Sequence, residues 1–267
     1  MKDNHIKKEN TPSSKLTSKS ATKAFAKNRP LNIALSCIFW ILLWWGISLL
    51  VGKSYIVPSP LETLRALGAM AVTGNYWMSV LMTLLRVLGG MAASFILGFF
   101  TAILAYKVSF ARAVFSQICA VFKATPVMSV IMFFILFLVS GTVPIVVCFL
   151  MCFPIFYTNI LAGLDDIPSE LIDAARDMSG SEIKKFRLAI LPCASSGIKT
   201  AIELGCGLAW KTVVAAEVLA SPKISMGSHL LLAKTYFEAD ELFAWTISIV
   251  ILSVIFTKLI KILIVER

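Results

Sequence analysis

Long apolar runs alternate with short polar segments along most of the chain. The first run, residues 31–51, contains no charge, and a helix of that length spans a hydrocarbon core of roughly 30 Å at 1.5 Å per residue. The third run is short, because Pro126 and Pro144 bound its apolar residues 127–139. The pattern predicts an all-α integral membrane fold with six transmembrane helices, at residues 31–51, 86–106, 124–140, 143–163, 198–220 and 243–263.

The segments outside these runs are of two kinds. Residues 1–30 are rich in Lys, Ser, Thr and Asn and show no hydrophobic periodicity, which is typical of a disordered tail. Residues 54–70 instead place apolar residues at helical spacing, and Ser59 can cap a helix whose first residue is Pro60. We therefore expect a basic cytoplasmic tail over 1–30, an interfacial helix within 54–70, and a transmembrane domain over 31–267.

The overall composition agrees with a membrane protein. Apolar residues make up 58% and charged residues 15%, and the mean hydropathy is +0.85, whereas soluble domains are about 45–50% apolar and 25% charged. A soluble enzyme is therefore disfavoured. The net charge of +10 would suggest nucleic acid binding in a soluble protein, but in a membrane protein it first raises the question of which side the cations occupy.

The cations are distributed unevenly between the two sides of the predicted helices. With the amino terminus inside, nineteen lie on the inner side: eight in 1–30, three in 107–123, five in 164–199 and three at the carboxyl end. The outer side has four, namely Lys53, Arg65, Lys223 and Lys234. The positive-inside rule therefore predicts a multi-pass cell-membrane protein with both termini cytoplasmic, and we expect no nucleic acid partner.

Cysteine and histidine suggest no metal chemistry. The six cysteines contain no C-x-x-C pair, so we expect buried thiols that pack as small apolar residues. Cys148 and Cys152 are four residues apart and should share one helix face. His5 lies in the tail and His229 is predicted to lie in a loop, so neither has the partners that a zinc site requires. We expect no metal and no cofactor.

The segment 164–199 predicts a helix, a turn and a second helix between two spans. Ser169 can cap the first helix and Gly180 can end it. Pro192 closes the second helix. The first helix carries a narrow apolar stripe of Leu171, Ala174, Ala175 and Met178. Two interpretations remain open: the stripe docks into a partner's groove, or it packs on the chain's own helix ends.

The same segment resembles a known motif. Asp173-Ala174-Ala175, followed at the matching distance by Leu191-Pro192, resembles the EAA loop of binding-protein-dependent ABC importer permeases. The chain departs from that pattern at three positions: Asp173 replaces Glu, Ser179 replaces Gly and Ala189 replaces Ile. Further segments resemble the nitrate, taurine and aliphatic-sulfonate permease group, namely Val57-Pro58-Ser59-Pro60, Phe153-Pro154-Ile155-Phe156, and Trp210 with Ala216-Glu217-Val218-Leu219.

The resemblance implies a type I-like permease that is not itself an enzyme. Its partners would be a second permease chain, cytoplasmic ABC ATPase subunits, an extracytoplasmic solute-binding protein and membrane lipid. The implied solute is a nitrate-, sulfonate-, taurine- or bicarbonate-like anion, and the alternative is a thiamine-precursor-like or other small organic molecule. An intramembrane enzyme and a passive channel are remote alternatives. The residues implied to couple to the ATPase are Leu171, Asp173, Ala174, Ala175, Met178, Gly180, Leu191 and Pro192.

Four charged residues within or beside the predicted spans require an explanation. A charge at the bilayer centre costs about 2.5–3.5 kcal/mol on insertion scales, so such residues usually face a cavity or a partner. For Glu203 and Lys211, lining the translocation pathway and pairing with other helices both remain open. Glu217 lies near an outer end, where it can reach water, and Arg86 begins a span, where it can snorkel. The candidate pathway residues are Glu203, Lys211, Glu217 and Arg86.

Small residues form stripes along two of the predicted spans. Gly90, Ser94 and Gly98 recur at four-residue spacing in the second span, and Ala201, Gly205 and Ala209 do so in the fifth. Such spacing permits close helix packing, which is the structural role that we expect for both stripes.

Overall fold

The computed structural model describes residues 29–171, 173 and 191–265. These residues fall into two compact units that divide between Pro60 and Leu61. In the first unit, α1 spans Arg29–Val51 and ends at Gly52, whose φ of 62° is the left-handed conformation that glycine adopts readily. The chain then folds back on α1. The Trp44 indole donates to the Pro58 carbonyl (3.1 Å) and the Ser48 hydroxyl to the Val57 carbonyl (3.0 Å).

The second unit is also helical, and no strand occurs within the ranges just given. A single helical turn lies at Leu191–Cys193 and a π-helix at Lys261–Val265. The helices that follow α1 are α2 Pro60–Ala71, α3 Gly74–Lys107, α4 Ser109–Ala124, α5 Val127–Ile135, α6 Val143–Asp165, α7 Ser195–Ala220, α8 Met226–Tyr236 and α9 Ala239–Ile260.

Several predicted elements are confirmed within a few residues. α2 begins at Pro60, as expected from the missing N–H and fixed φ of proline. α6, α7 and α9 coincide closely with the fourth, fifth and sixth predicted spans. The second prediction was too short, because α3 begins at Gly74, where the Thr73 side chain accepts a hydrogen bond from the Tyr76 amide.

The third predicted span, a helix over 124–140, is wrong. Residues 127–135 form only the short helix α5, which at 1.5 Å per residue is less than half the hydrocarbon thickness. It is bent by 93° from α4. Pro126 causes the break, since it lacks an amide donor and disfavours helical geometry at Thr125, which is extended (ψ 126°).

The described residues include four helices long and apolar enough to cross a membrane, or five if α4 and α5 form one broken span. α7 is not among them, although it has 26 residues, and it contains Glu203, Lys211 and Glu217. Six uniform spans are therefore not confirmed. α6 and α3 cover one side of α7, where the side chain of Glu217 is buried, whereas Glu203 and Lys211 are exposed.

The core forms where α6 packs between α3 and α7. A Cβ added to Gly98 of α3 would lie 2.7 Å from the Phe156 Cβ, and one added to Gly205 of α7 would lie 2.6 Å from the Phe156 ring. Gly90 likewise adjoins Cys148, at 2.6 Å from its Cβ. These contacts confirm the packing role of the glycines in both small-residue stripes, because any larger residue would force the helices apart.

The five cysteines whose side chains the structure describes are free thiols. Cys119, Cys148, Cys152 and Cys206 are buried, as expected, whereas Cys37 on α1 is exposed. The sulfur atoms of Cys148 and Cys152 lie 4.0 Å apart on one face of α6. They pack as small apolar side chains in the α3–α6–α7 core.

Candidate functional site

The carboxylate of Glu217, in the last turn of α7, lies at the centre of a buried polar network. Its side chain has no exposed surface, whereas that of Arg86 is 13% exposed. Arg86 Nη1 donates to Glu217 Oε1 at 2.7 Å. The Thr83 hydroxyl lies 3.0 and 2.9 Å from the two carboxylate oxygens, and the Gly227 amide donates to Oε2 at 3.2 Å. These groups satisfy the charge from three sides.

The same network holds backbone groups of two connecting segments. Arg86 Nε donates to the Gly141 carbonyl (3.3 Å) before α6, and Arg86 Nη1 to the Ile224 carbonyl (3.0 Å) between α7 and α8. The Met226 amide donates to the Thr83 hydroxyl at 3.1 Å. Two side chains of α3 therefore connect α7, α8 and the segment before α6.

This geometry corrects two expectations. Glu217 does not reach water, because the network buries its carboxylate. Arg86 does not snorkel from the start of a span, because α3 begins twelve residues earlier, at Gly74, and its guanidinium points to Glu217. The sequence could have indicated the Arg86–Glu217 pair, because it places one cation and one anion each within an apolar helix. Thr83 and Gly227 carried no such signal.

Lys211 lies on the side of α7 that α6 and α3 leave uncovered. It is exposed together with Thr200, Glu203 and Leu204, and a Cβ added to Gly207 would meet no atom within 4 Å. These positions recur three, four and seven residues apart, so they form one stripe along the helix. No ion pair of Lys211 is found among the described residues.

Glu203 has a partner on another element. Its Oε1 accepts a hydrogen bond from Lys261 Nζ in the π-helix at 2.9 Å, and both side chains are about half-exposed. The two charges therefore neutralise each other. The pair lies toward the start of α7, far from the Arg86–Glu217 network at its end.

The predicted coupling segment is described at its two ends. Residues 169–171 and 173 are helical, so a helix is present here as predicted, but it begins at Ser169 itself rather than after it. Leu171 is 47% exposed, and Asp173 is exposed. At the other end, Leu191 and the exposed Pro192 form part of a helical turn, so Pro192 lies inside helical structure. Ala174, Ala175, Met178 and Gly180 lie outside the described residues, as do Ser179 and Ala189.

Two contacts hold the helix ends on either side of this segment in place. Gly163 near the end of α6 packs on Gly197 at the start of α7: a Cβ added to Gly163 would lie 2.9 Å from the Gly197 Cα. Arg112 of α4 forms an ion pair with Asp165, the last residue of α6. The ends of the coupling segment are thus fixed to each other and to α4.

A cavity of about 440 Å³ lies at the bend between α4 and α5, against α6. None of its described lining residues is charged, and hydroxyls of Thr125 and Ser129 are its polar side-chain groups. Such a lining suits an apolar occupant, and it offers no cation to an anionic solute.

His229 lies on α8, and the predicted loop position is wrong. Its Nε2 is 3.1 Å from the Ser79 hydroxyl of α3. Its ring stacks on that of Trp245 of α9, with the ring centroids 4.7 Å apart and an interplanar angle of 7°. Burial lowers the pKa of His229. The imidazole therefore joins three helices in its neutral form.

Comparison with known proteins identifies the family. The sequence profile of the family described as binding-protein-dependent transport system inner membrane component matches residues 94–265. The chain belongs to this family. It is accordingly an ABC importer permease subunit and a multi-pass membrane protein, a transport component rather than an enzyme.

Individual relatives agree with this assignment. The chain is 26% identical over 207 residues to a probable ABC transporter permease protein of Brucella melitensis, which covers 77% of this chain and 84% of the relative. It is 22% identical over 238 residues to the taurine transport system permease protein TauC of Escherichia coli, covering 86% of each. The glycine betaine transport system permease protein OpuAB of Bacillus subtilis is 25% identical over 228 residues, covering 84% and 76%.

A solved structure supports the fold of this ABC permease. The crystal structure of an amino acid ABC transporter with histidines matches with a TM-score of 0.55 at 16% identity, covering 75% of this chain and 95% of that chain. The likeness concerns the helical architecture alone.

Proposed function

We propose that the chain is the permease of an ATP-driven importer for a small solute that carries an anionic group. The observation that carries this proposal is the exposed ammonium of Lys211 midway along α7. Of the four candidate pathway charges, Arg86 and Glu217 neutralise each other and Glu203 is paired with Lys261. Lys211 is left as the cation available to a solute.

The energetics of a membrane charge support the same function. An uncompensated cation facing lipid is costly, so Lys211 is more stable facing a water-filled path or a ligand. The stripe of Thr200, Leu204, Gly207 and Lys211 is open in the single chain. A second permease chain related by two-fold symmetry would place two such stripes around one path.

Names of relatives narrow the solute class. TauC is named for taurine and OpuAB for glycine betaine; the first solute carries a sulfonate and the second a carboxylate. Both present an anionic group that a lysine ammonium can bind through a charge-assisted hydrogen bond. A taurine-like sulfonate is our first candidate, and nitrate and bicarbonate share the negative charge.

The proposal also includes an orientation of the chain in the membrane and a site of contact with the ATPase. With both termini cytoplasmic, as the cation distribution predicts, and with α4 and α5 crossing together as one broken span, segment 164–199 faces the cytoplasm and the α7–α8 connection faces outward. The helix that begins at Ser169 then contacts a cytoplasmic ATPase, through the coupling residues from Leu171 to Pro192. A solute-binding protein delivers the solute on the opposite side.

The test is transport by the reconstituted complex. The chain is co-expressed with its cognate ATPase and solute-binding protein, placed in vesicles, and supplied with labelled taurine, nitrate, bicarbonate, glycine betaine or an uncharged thiamine-precursor-like pyrimidine. We expect ATP-dependent accumulation of a solute that carries an anionic group, which among these is taurine, nitrate, bicarbonate or glycine betaine. Flux that continues without ATP, or accumulation of the pyrimidine alone, would contradict the proposal.

Variants of Lys211 isolate the role of the cation. A hydrogen bond to a charged group contributes about 1.5–3 kcal/mol, so Lys211→Gln should lower uptake about tenfold or more. Lys211→Arg should retain more of it. Lys234→Gln, which removes an exposed cation from α8, is the matched control. Equal uptake by Lys211→Gln and wild type would remove Lys211 from the pathway.

A further inference from the structure

The Arg86–Glu217 network contains more polar contacts than a helix–helix contact needs. Its two charged side chains and Thr83 bond to one another and also to four backbone groups, at Gly141, Ile224, Met226 and Gly227. All four backbone groups belong to connecting segments or to the first turn of α8. The network therefore fixes loops rather than merely joining α3 to α7.

Stability alone does not account for such an arrangement. Burying two charges removes them from water, and well-packed apolar residues of the same volume often stabilise a fold as well or better. What an apolar pair cannot reproduce is the set of directional hydrogen bonds to loop backbone. The buried charges are thus suited to setting the position of the loops.

Gly227, at the start of α8, belongs to the same hydrogen-bond network. A Cβ at Gly227 would collide with the Glu217 Cβ and lie 2.7 Å from the Val218 amide nitrogen. This close approach brings the Gly227 amide within hydrogen-bonding distance of the carboxylate. Glu217 thereby also binds at the amino-terminal end of α8, where the helix dipole favours a negative charge.

We infer that Arg86, Glu217 and Thr83 are positioning residues that lock the segment before α6 and the α7–α8 connection into one rigid surface, which the solute-binding protein engages. This inference rests on the proposed orientation and function, in which that surface faces outward. It assigns the network to productive docking rather than to solute binding. The residues act through the loop backbone that they hold.

The experiment separates positioning from packing with a double variant. Arg86→Met alone or Glu217→Leu alone leaves one charge buried without its partner, so each should destabilise the chain. Arg86→Met/Glu217→Leu removes both charges and should recover the thermal midpoint and ATPase retention. It should not recover the hydrogen bonds to the loops. ATP-dependent uptake into vesicles is then measured as a function of the concentration of solute-loaded binding protein.

We expect the double variant to raise the half-saturating concentration of binding protein about fivefold or more, within the usual range of coupling between sites. The maximal rate should change less. Tyr76→Phe, which removes the buried hydrogen bond between α3 and Ser248 of α9 (3.0 Å) without touching the network, should leave the half-saturating concentration unchanged. A double variant with the wild-type half-saturating concentration would overturn the inference.

Two further measurements keep the inference testable if the double variant fails to fold. Thr83→Val preserves shape but removes the hydroxyl that contacts Glu217 and the Met226 amide, and it should raise the half-saturating concentration in the same direction. Hydrogen exchange at Met226 and Gly227 should accelerate in that variant. Unchanged exchange and unchanged titration together would overturn the inference. Absence of ATP-dependent uptake in the wild type would instead contradict the proposed function.

Discussion

Gly197 packs its α carbon against the backbone of Gly163, so that a Cβ added at residue 197 would lie 2.7 Å from the Gly163 Cα and 2.5 Å from the Asn159 carbonyl oxygen. The contact joins the end of α6 to the start of α7. These are the helices between which segment 164–199 emerges. Any displacement of that segment is therefore applied to a closely packed helix pair rather than to two independent helices.

Gly197→Ala should destabilise the chain, because the added methyl group meets backbone that cannot rotate away. Overpacking of this kind costs about 1–3 kcal/mol, and in a chain of this size each kcal/mol lowers the melting temperature by about 2–4 °C. Thermal unfolding in detergent measures the shift. Gly68→Ala is the control, since its Cβ would meet nothing within 4 Å on α2. Equal melting temperatures for the two variants would contradict the close contact.

Leu171→Asp should weaken association with the ATPase. The substitution puts a charge on the exposed apolar residue of the first coupling turn, and a charge that an interface desolvates without a partner opposes binding. We expect less ATPase to co-purify, with normal membrane insertion. Leu232→Asp on α8 is the matched control, because both leucines are 47% exposed. Loss of ATPase from both variants to the same degree would argue against a specific role for Leu171.

His229 should make stability depend on pH. Because burial lowers its folded-state pKa, the unfolded chain takes up the proton first as pH falls below the ordinary histidine value of about 6.5. Stability is therefore complete above that pH and decreases as pH falls toward the folded-state pKa. His229→Phe keeps an aromatic ring beside Trp245 and cannot titrate. Between pH 7.5 and 5, the melting temperature should fall further in the wild type than in the variant. Parallel losses would contradict this prediction.

The sequence predicted the apolar helices well and their irregularities poorly. Hydropathy located α1, α6 and α9, because the bilayer imposes a length and a composition on each span by itself. It failed at residues 124–140, where Pro126 divides the chain into α4 and α5. Proline predicts a break, but the direction in which the chain continues depends on what the next helix packs against.

In the candidate site too, some features could be predicted from the sequence and others could not. The charged residues of α7 were conspicuous in the sequence, because charges in apolar helices are rare and require partners. Their partners were not evident: Lys261 was counted among the terminal cations, and Thr83 looked like any helical threonine. His229 was predicted to lie in a loop, but it lies on α8, which extends over eleven residues, Met226–Tyr236.

The sequence by itself determined the class of the protein, the main apolar helices and the glycines that allow α3, α6 and α7 to approach closely. These follow from hydrophobicity and side-chain size, which are properties of each segment alone. Only the tertiary structure decided which charges neutralise one another and which remain open. Arg86 and Glu217 are 131 residues apart, and their pairing depends on the relative depth and rotation of two helices. No local pattern encodes those quantities, so Lys211 stood out as the available cation only after the other pairs were seen.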